Sequence, residues 1–278
     1  MSARVGIGPH WGNEQKMAED VFPKVERVIY GKAPLVEVIC QLRFPTDLRV
    51  ETEPPAAFQQ RVKNRLPVLA QVNQALRSPL PPEIAKALEA VIPRTGTVWR
   101  FSTEDGSQAI ELAKDNLTLL SRNYGRWEEF HGLLKTPLEA LLELYAPMFF
   151  TRIGLRYRDI IQRSKIGLPD AKWSELLKPH VLGELGQVDI ENRAIEVFRT
   201  LLLGLPERGA KVRLQHGFAQ IEGSDEQSYL IDCDFFVERA EVNHVVDTVV
   251  YFNSNAARYF RWCITDTLHK ALEPQPVK

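Results

Sequence analysis

The sequence predicts an α+β fold, in which two antiparallel β-meanders are each followed by helix and a long C-terminal helix packs on the sheet. Segments that alternate apolar and polar residues, joined by short turn-like connections, occur twice, at 97–123 and at 195–238. Each group precedes a stretch whose apolar residues recur every three or four positions, which is typical of an amphipathic helix. Strands grouped in this way favour antiparallel pairing over a parallel α/β sheet.

The N-terminal third contributes one strand and two helices to the prediction. PLVEVICQLRFP (34–45) alternates apolar and polar residues and predicts a half-buried strand that ends at Pro45. A helix is expected from about Pro55, divided or bent at Pro67, because four apolar residues have helical spacing: Phe58, Val62, Leu66 and Leu69. PPEIAKALEAVI (81–92) predicts a second helix that starts at a proline pair.

The middle and the end of the chain add helices and one long strand. WEEFHGLLKTPLEALLELY predicts two helices with a break at Thr136, because Thr136, Pro137 and Glu139 fit a capping box. FFTRIGLRYRDII (149–161) alternates and predicts a strand. The last segment, from about Glu241 to Leu272, predicts one continuous helix.

These elements suggest a single domain with a short lead-in. Residues 1–25 are rich in glycine and have little periodicity, so we expect them to be loosely ordered, whereas 26–272 forms a single α+β domain. The segments 34–162 and 195–272 share an order of strands before helix, which leaves an internal duplication open, with 163–194 as a connector.

Composition restricts the classes of function. The 278 residues include 35 Lys and Arg against 36 Asp and Glu, so the chain lacks the basic excess of a dedicated nucleic-acid-binding protein. Three scattered cysteines without a C-x-x-C pair indicate a reducing compartment. The N-terminus lacks the apolar core of a signal peptide, and the most apolar stretch is interrupted by Glu143 and Pro147. We therefore expect a cytoplasmic protein without a membrane partner.

Motifs that carry chemistry are missing from the sequence. It contains no phosphate-binding loop, no zinc-protease motif, no nucleophile elbow and no calcium-binding loop. We predict no catalytic residues, no metal and no cofactor. His216 lies on the apolar side of its strand, which favours a core or boundary imidazole with one hydrogen bond over a general base.

SYLIDCDFFVE (228–238) is the one segment that suggests enzyme chemistry. Its apolar face belongs to the core and carries Tyr229, Ile231, Cys233, Phe235 and Val237. Asp232 and Asp234 point to the other face about 7 Å apart, a spacing that could hold a divalent cation between carboxylates. The alternative function is therefore a metal-dependent hydrolase or nuclease that uses this pair.

Arg152, Arg156 and Arg158 share one face of the strand 149–161 and allow two interpretations. If that strand, or the strand that carries Lys211 and Arg213, neighbours 228–238, opposite charges form a cross-strand ladder. If the arginines stay partly unpaired, they form a basic surface for nucleic acid. The terminal helix adds Asn253 and Asn255, which we expect on its polar face as binding candidates for another chain or a ligand.

Four segments together resemble a family of sporadically distributed bacterial proteins of about this length that has no assigned activity: PLVEVICQLRF, NYGRWEEF, RIGLRYRDII and LIDCDFFVE followed by ARYFRWCITDTL. The resemblance covers residues 26 to 272. It implies a bacterial, cytoplasmic protein with patchy occurrence, as in mobile-element or host-defence modules, and transfers no catalytic residue. Val250 and Tyr251 stand where that family has Leu-His, so a role tied to that histidine does not carry over.

The sequence thus favours a non-enzymatic binding or regulatory protein that acts through a protein partner or by self-association as a homo-oligomer. Metal-dependent hydrolysis and nucleic-acid binding remain the alternatives.

Overall fold

The structure, a computed structural model, describes residues 20–73 and 96–277. Its strands are β1 (Val28–Tyr30), β2 (Leu35–Arg43), β3 (Val68–Asn73), β4 (Thr97–Ser102), β5 (Gln108–Ala113), β6 (Asn116–Ser121), β7 (Phe150–Ile161), β8 (Phe198–Gly204), β9 (Lys211–Ala219), β10 (Ser228–Ala240) and β11 (Pro274–Pro276). Its α-helices are α1 (Arg49–Thr52), α2 (Ala56–Val62), α3 (Trp127–Leu144), α4 (Trp173–Leu176), α5 (Pro179–Leu182), α6 (Val188–Glu191), α7 (Val245–Cys263) and α8 (Asp266–Ala271). Short 3₁₀ turns span Gly183–Gly186 and Val242–His244.

Both meanders belong to the same antiparallel sheet. Among the described residues, nine strands follow the order β3-β4-β5-β6-β2-β7-β10-β9-β8. The meander β4-β5-β6 occupies one side and β8-β9-β10 the other, and β2 and β7 join them at the centre. A separate small sheet pairs β1 with β11. The predicted α+β class, with strands in two meanders and a long C-terminal helix on the sheet, is confirmed.

The helices cover one face of the large sheet. Helix α7 packs on β7 and β10, and α3 packs on α2 and β6. The core lies between this layer and the sheet, and the inward face of β10 is fully part of it: Tyr229, Ile231, Cys233, Phe235 and Val237 are each at most 5% exposed. The period-two reading of SYLIDCDFFVE is therefore confirmed. The opposite face of the sheet carries charges in its middle strands.

The predicted helix from Pro55 is shorter than its apolar spacing suggested. Helix α2 ends at Val62, and Leu69 belongs to strand β3, which pairs with β4. Pro67 lies between them and has no N–H for a helical hydrogen bond, so the chain leaves the helix before it. The helix expected at 81–92 and residues 1–19 of the expected lead-in lie outside the described residues.

The predicted helix break at Thr136 is wrong. Helix α3 runs without interruption from Trp127 to Leu144 and contains Pro137. The proline costs one backbone hydrogen bond, but it is itself buried, and it lies within a continuous apolar stripe that faces the core: Phe130, Leu133, Leu134, Leu138 and Leu141. Burial of this stripe as one unit outweighs the local signal for a new helix start.

The predicted C-terminal helix is also divided. Helix α7 ends at Cys263, and Ile264 is extended and forms a β-bridge with Leu177. Thr265 then caps the short helix α8 by accepting a hydrogen bond from the Leu268 N–H at 3.3 Å. The periodic apolar stripe continues across this break, so periodicity alone could not reveal it.

Candidate functional site

A ladder of charged side chains crosses the centre of the sheet on the face opposite helix α7. We define the charge ladder as Arg152, Arg156 and Arg158 of β7, Asp232 and Asp234 of β10, and Glu37 of β2. Strand β7 lies between β10, which supplies the two aspartates, and β2, where Glu37 lies opposite Arg158. The predicted cross-strand pairing of these arginines with the two aspartates is confirmed.

The strongest contacts of the charge ladder are diagonal. Arg156 lies directly opposite Asp234, yet it binds Asp232, with Nε donating to Oδ1 at 2.7 Å and Nη2 donating to Oδ2 at 2.6 Å. Arg152 lies opposite Glu238 and reaches farther, to Asp234 four residues along β10, with Nη2 at 2.7 and 2.8 Å from the two carboxylate oxygens. Diagonal neighbours in a sheet are within reach of long side chains.

A second guanidinium also approaches Asp232. Arg158 Nε lies 3.4 Å from Oδ2 of Asp232, and Arg158 Nη1 donates to Glu37 at 3.3 Å. The Asp232 carboxylate is almost fully buried. Burial disfavours the charged form of Arg156, but the hydrogen bonds and the negative charge of Asp232 more than offset this. The pKa of Arg156 is therefore raised above its ordinary value. Asp232 is thus a buried carboxylate held by two arginines.

This arrangement gives no support to a metal at Asp232 and Asp234. Both carboxylates already accept hydrogen bonds from arginine, and a cation would have to displace those guanidiniums. In the described ranges, no group of three or more His, Cys, Asp or Glu side chains is placed to hold a metal ion.

The arginines of the charge ladder are already paired with carboxylates, which argues against their use as a surface for nucleic acid. Arg152, Arg156 and Arg158 each bind a carboxylate, so a phosphate would compete with bonds already made. Tyr157 points to the helix side, as its position in the alternation predicted. Arg213 lies opposite Asp234 but, within the described part of the chain, forms no ion pair.

Strand β8 lies at one end of the sheet, and no described strand pairs with its outer edge. Hydrogen bonds at its two ends, from Phe218 N to Val197 O and from Leu205 N to Ala210 O, show that odd-numbered residues face β9. The N–H and C=O groups of the even-numbered residues point outward, and no described residue binds them. The edge also carries apolar side chains about half exposed: Phe198, Leu201 and Leu202.

A cavity of about 640 Å³ lies on the helix side of the sheet. Its walls are the segment 25–35, the turn 122–127 and the middle of α7, and its floor is formed by β7 and β10. Asn253 lines it and accepts a hydrogen bond from the Tyr157 hydroxyl at 2.8 Å. Asn255, by contrast, is buried and donates to Tyr251 O of its own helix at 2.9 Å. The prediction that both asparagines lie on one polar face is wrong, because residues two apart on a helix point in different directions.

Sequence reasoning missed Asp159, which lies on the floor of this cavity. It is 7% exposed, and no described residue donates a hydrogen bond to it. Burial and, to a lesser degree, the nearby charge of Asp232 raise its pKa to about 8. The signal was present in the sequence: Asp159 is the one acidic residue at an odd position of β7, on the apolar face between Tyr157 and Ile161.

His216 has the predicted environment. Its Nδ1 and the Tyr229 hydroxyl share one hydrogen bond of 3.0 Å. Burial, together with the positive charges of Arg199 and His180, lowers its pKa to about 4. At neutral pH the ring is therefore uncharged, and its hydrogen bond to Tyr229 links β9 to β10.

Comparison with known proteins adds nothing to these observations. No family model, no curated protein and no solved structure matches the chain. The helices of the described ranges include none that is both long enough and apolar enough to cross a bilayer. The fold and the geometry above therefore define an antiparallel α+β protein with one helix-covered and one charged face.

Proposed function

We propose that the chain is a non-enzymatic binding protein that acts by self-association through strand β8. The observation that carries this proposal is the open edge of β8 with its exposed apolar side chains. Exposed edge strands are templates for pairing with another strand, and natural proteins usually protect them with lysine, proline or a bulge. Strand β8 (FRTLLLG) has neither lysine nor proline.

The sequence of β8 is compatible with pairing to a second copy. In an antiparallel pair centred on Leu201, Thr200 lies opposite Leu202 of the second copy, and their outward N–H and C=O groups can bond reciprocally. Phe198 then lies opposite Gly204, where an aromatic ring covers the bare glycine backbone. Arg199 lies opposite Leu203, so no like charges meet. The nine described strands would continue into a second sheet without a break.

The low charge of β8 also favours a second copy of the chain as the partner strand. Arg199 is the single charged residue of β8, and its guanidinium is held by Glu184 and by the Val181 carbonyl of its own chain. The edge therefore offers backbone groups and apolar surface rather than charge. A partner strand that matches it is apolar and neutral, as β8 itself is.

Sedimentation velocity over a concentration series tests the proposal. We expect the wild-type chain to dimerise, and Thr200→Pro, which removes one outward N–H, and Leu202→Lys, which places a charge on the edge, to be monomeric. Leu69→Lys on β3 at the other side of the sheet is the matched control, because Leu69 is 40% exposed and also apolar. The control should dimerise as the wild type does.

Two results would count against self-association at this edge. A sedimentation series in which the wild-type chain stays monomeric up to about 100 µM would end the proposal, since association weaker than that is worth less than about 5.5 kcal/mol. A dimer that persists in both Thr200→Pro and Leu202→Lys would place the interface elsewhere.

A further inference from the structure

The floor of the cavity on the helix side of the sheet carries a buried carboxyl for which no described residue supplies a hydrogen-bond donor. Asp159 reaches the floor from β7, between the apolar side chains of Tyr157 and Ile161. Asp159 is 7% exposed, and its carboxyl accepts no hydrogen bond from the described residues. Buried polar groups are nearly always paired, so an unpaired carboxyl that faces a cavity calls for a partner from outside the chain.

The arginines around the cavity do not supply that partner. Each is engaged by an acidic residue: Arg27 and Arg126 by Glu128, Arg122 by Glu37, Arg258 by Asp20 and Arg261 by Asp266. These five arginines share four carboxylates, and Glu26 adds a fifth acidic side chain to the lining, so the charges around the cavity are close to balanced. Asp159 is left as the acidic group in the interior.

The walls favour an organic ligand over a bare ion. The cavity has the volume of a small-molecule site, and much of its lining is aromatic: Tyr30, Tyr124, Trp127, Tyr157, Tyr259 and Phe260. Aromatic faces attract cations as well as apolar groups. A metal ion would require several oxygen ligands, whereas Asp159 is a single carboxylate among rings and hydroxyls.

We propose that this cavity binds a small organic cation, an amine or amidine with an apolar or aromatic body, whose N–H groups pair with the Asp159 carboxylate. The body of the ligand lies against the aromatic walls, and the cation takes the position nearest β7. This site is separate from the β8 edge and from the charge ladder, and it does not depend on self-association.

Ligand binding changes the protonation of Asp159. The groups that face it are Tyr30 from the walls, Cys233 and Cys263 from β10 and α7, and Asp232 from behind the sheet, while Arg261 lines the same cavity. With a pKa of about 8 the carboxyl carries a proton at pH 7. It must lose that proton to pair with a cation, so binding releases close to one proton.

Isothermal titration calorimetry with benzylamine, tyramine and agmatine tests this site, with benzyl alcohol as the neutral counterpart of benzylamine. We expect at least one amine to bind, benzyl alcohol to bind more weakly, and Asp159→Asn to weaken the amine by about tenfold or more. Asp189→Asn, the same charge change on the exposed helix α6, should bind as the wild type does. For the wild type, the binding enthalpies measured in phosphate and in Tris should differ by the difference in ionisation enthalpy of the two buffers, multiplied by about one proton. For Asp159→Asn the two binding enthalpies should agree.

Three results would overturn the proposal. These are no binding of any of the three amines at millimolar concentration, equal amine affinity in Asp159→Asn and wild type, or equal affinity for benzylamine and benzyl alcohol. Because asparagine resembles the protonated acid in shape and charge, the variant should fold, and its circular dichroism confirms this before titration.

Discussion

The guanidinium of Arg156 binds both carboxylate oxygens of Asp232, two residues along β10 from its direct cross-strand neighbour. This pair joins two central strands of the sheet on the face opposite helix α7. Because Asp232 is 2% exposed, water cannot readily replace the arginines that hold its carboxylate. The aspartates of SYLIDCDFFVE are thus part of the frame of the sheet.

Replacement of Asp232 by asparagine should destabilise the protein markedly. The change leaves Arg156 and Arg158 without their shared carboxylate, and loss of one partner of a buried ion pair costs about 3–5 kcal/mol. Since Arg156 is 28% exposed on its side chain, we expect the lower end of that range, about 3 kcal/mol, in urea unfolding.

Glu238→Gln provides the control for this measurement. Glu238 pairs with Lys211 on the same face, but both side chains are exposed, so the free energy of unfolding should hardly change. If the two substitutions lowered the free energy of unfolding equally, burial would not be the reason why the Asp232 pair stabilises the protein.

Part of this arrangement could be predicted from sequence. Alternation in 149–161 and 228–238 assigned every side chain of β7 and β10 to its face, and charge opposition suggested their proximity. The diagonal choice of Arg156 could not be predicted, because the register of two strands far apart in sequence depends on how the whole sheet packs. Asp159 could not be identified from the alternation of apolar and polar residues, because that pattern assigns a whole strand face as apolar even when one of its residues is charged.

The wrong helix boundaries share a different cause. The capping box at Thr136 and the apolar stripe up to Leu272 are local or periodic signals, and tertiary contacts overrode both. Burial of one stripe kept α3 continuous through Pro137, whereas the bridge between Ile264 and Leu177 divided the C-terminal helix. Neither contact is visible in a window of a few residues.

Thr265→Ala should lower the free energy of unfolding by about 1–2 kcal/mol. The Thr265 hydroxyl caps α8 and also donates to the Glu175 carbonyl at 2.7 Å, so it anchors the C-terminal segment to α4. Thr265→Ser keeps the hydroxyl and should restore most of the stability in thermal or urea unfolding. If serine were as destabilising as alanine, the methyl group and not the hydrogen bonds would be responsible.

Asp159→Asn should stabilise the ligand-free protein, and the gain should depend on pH. An unfolded aspartate titrates near pH 4, whereas the folded pKa is about 8. Between these values the folded state holds one proton more than the unfolded state, so wild-type stability falls as pH rises. Urea unfolding at pH 4, 6 and 8 should therefore show wild type and variant nearly equal at pH 4 and the variant increasingly more stable up to pH 8. A constant difference would mean that the carboxyl does not titrate in this range.

His216→Gln should have the opposite dependence, on the acid side. The unfolded imidazole has a pKa near 6.5, whereas burial and two positive neighbours lower the folded pKa to about 4. In this interval the unfolded chain binds one proton more, so wild-type stability is lost as pH falls from 6.5 towards 4. Glutamine has no such proton to bind and can keep a hydrogen bond to Tyr229, so the variant should lose less stability between pH 7 and pH 4.5. His244→Gln, at an exposed histidine, serves as the control and should follow the wild-type profile; if it flattened the acid limb as much as His216→Gln, the burial of His216 would not be the origin of the effect.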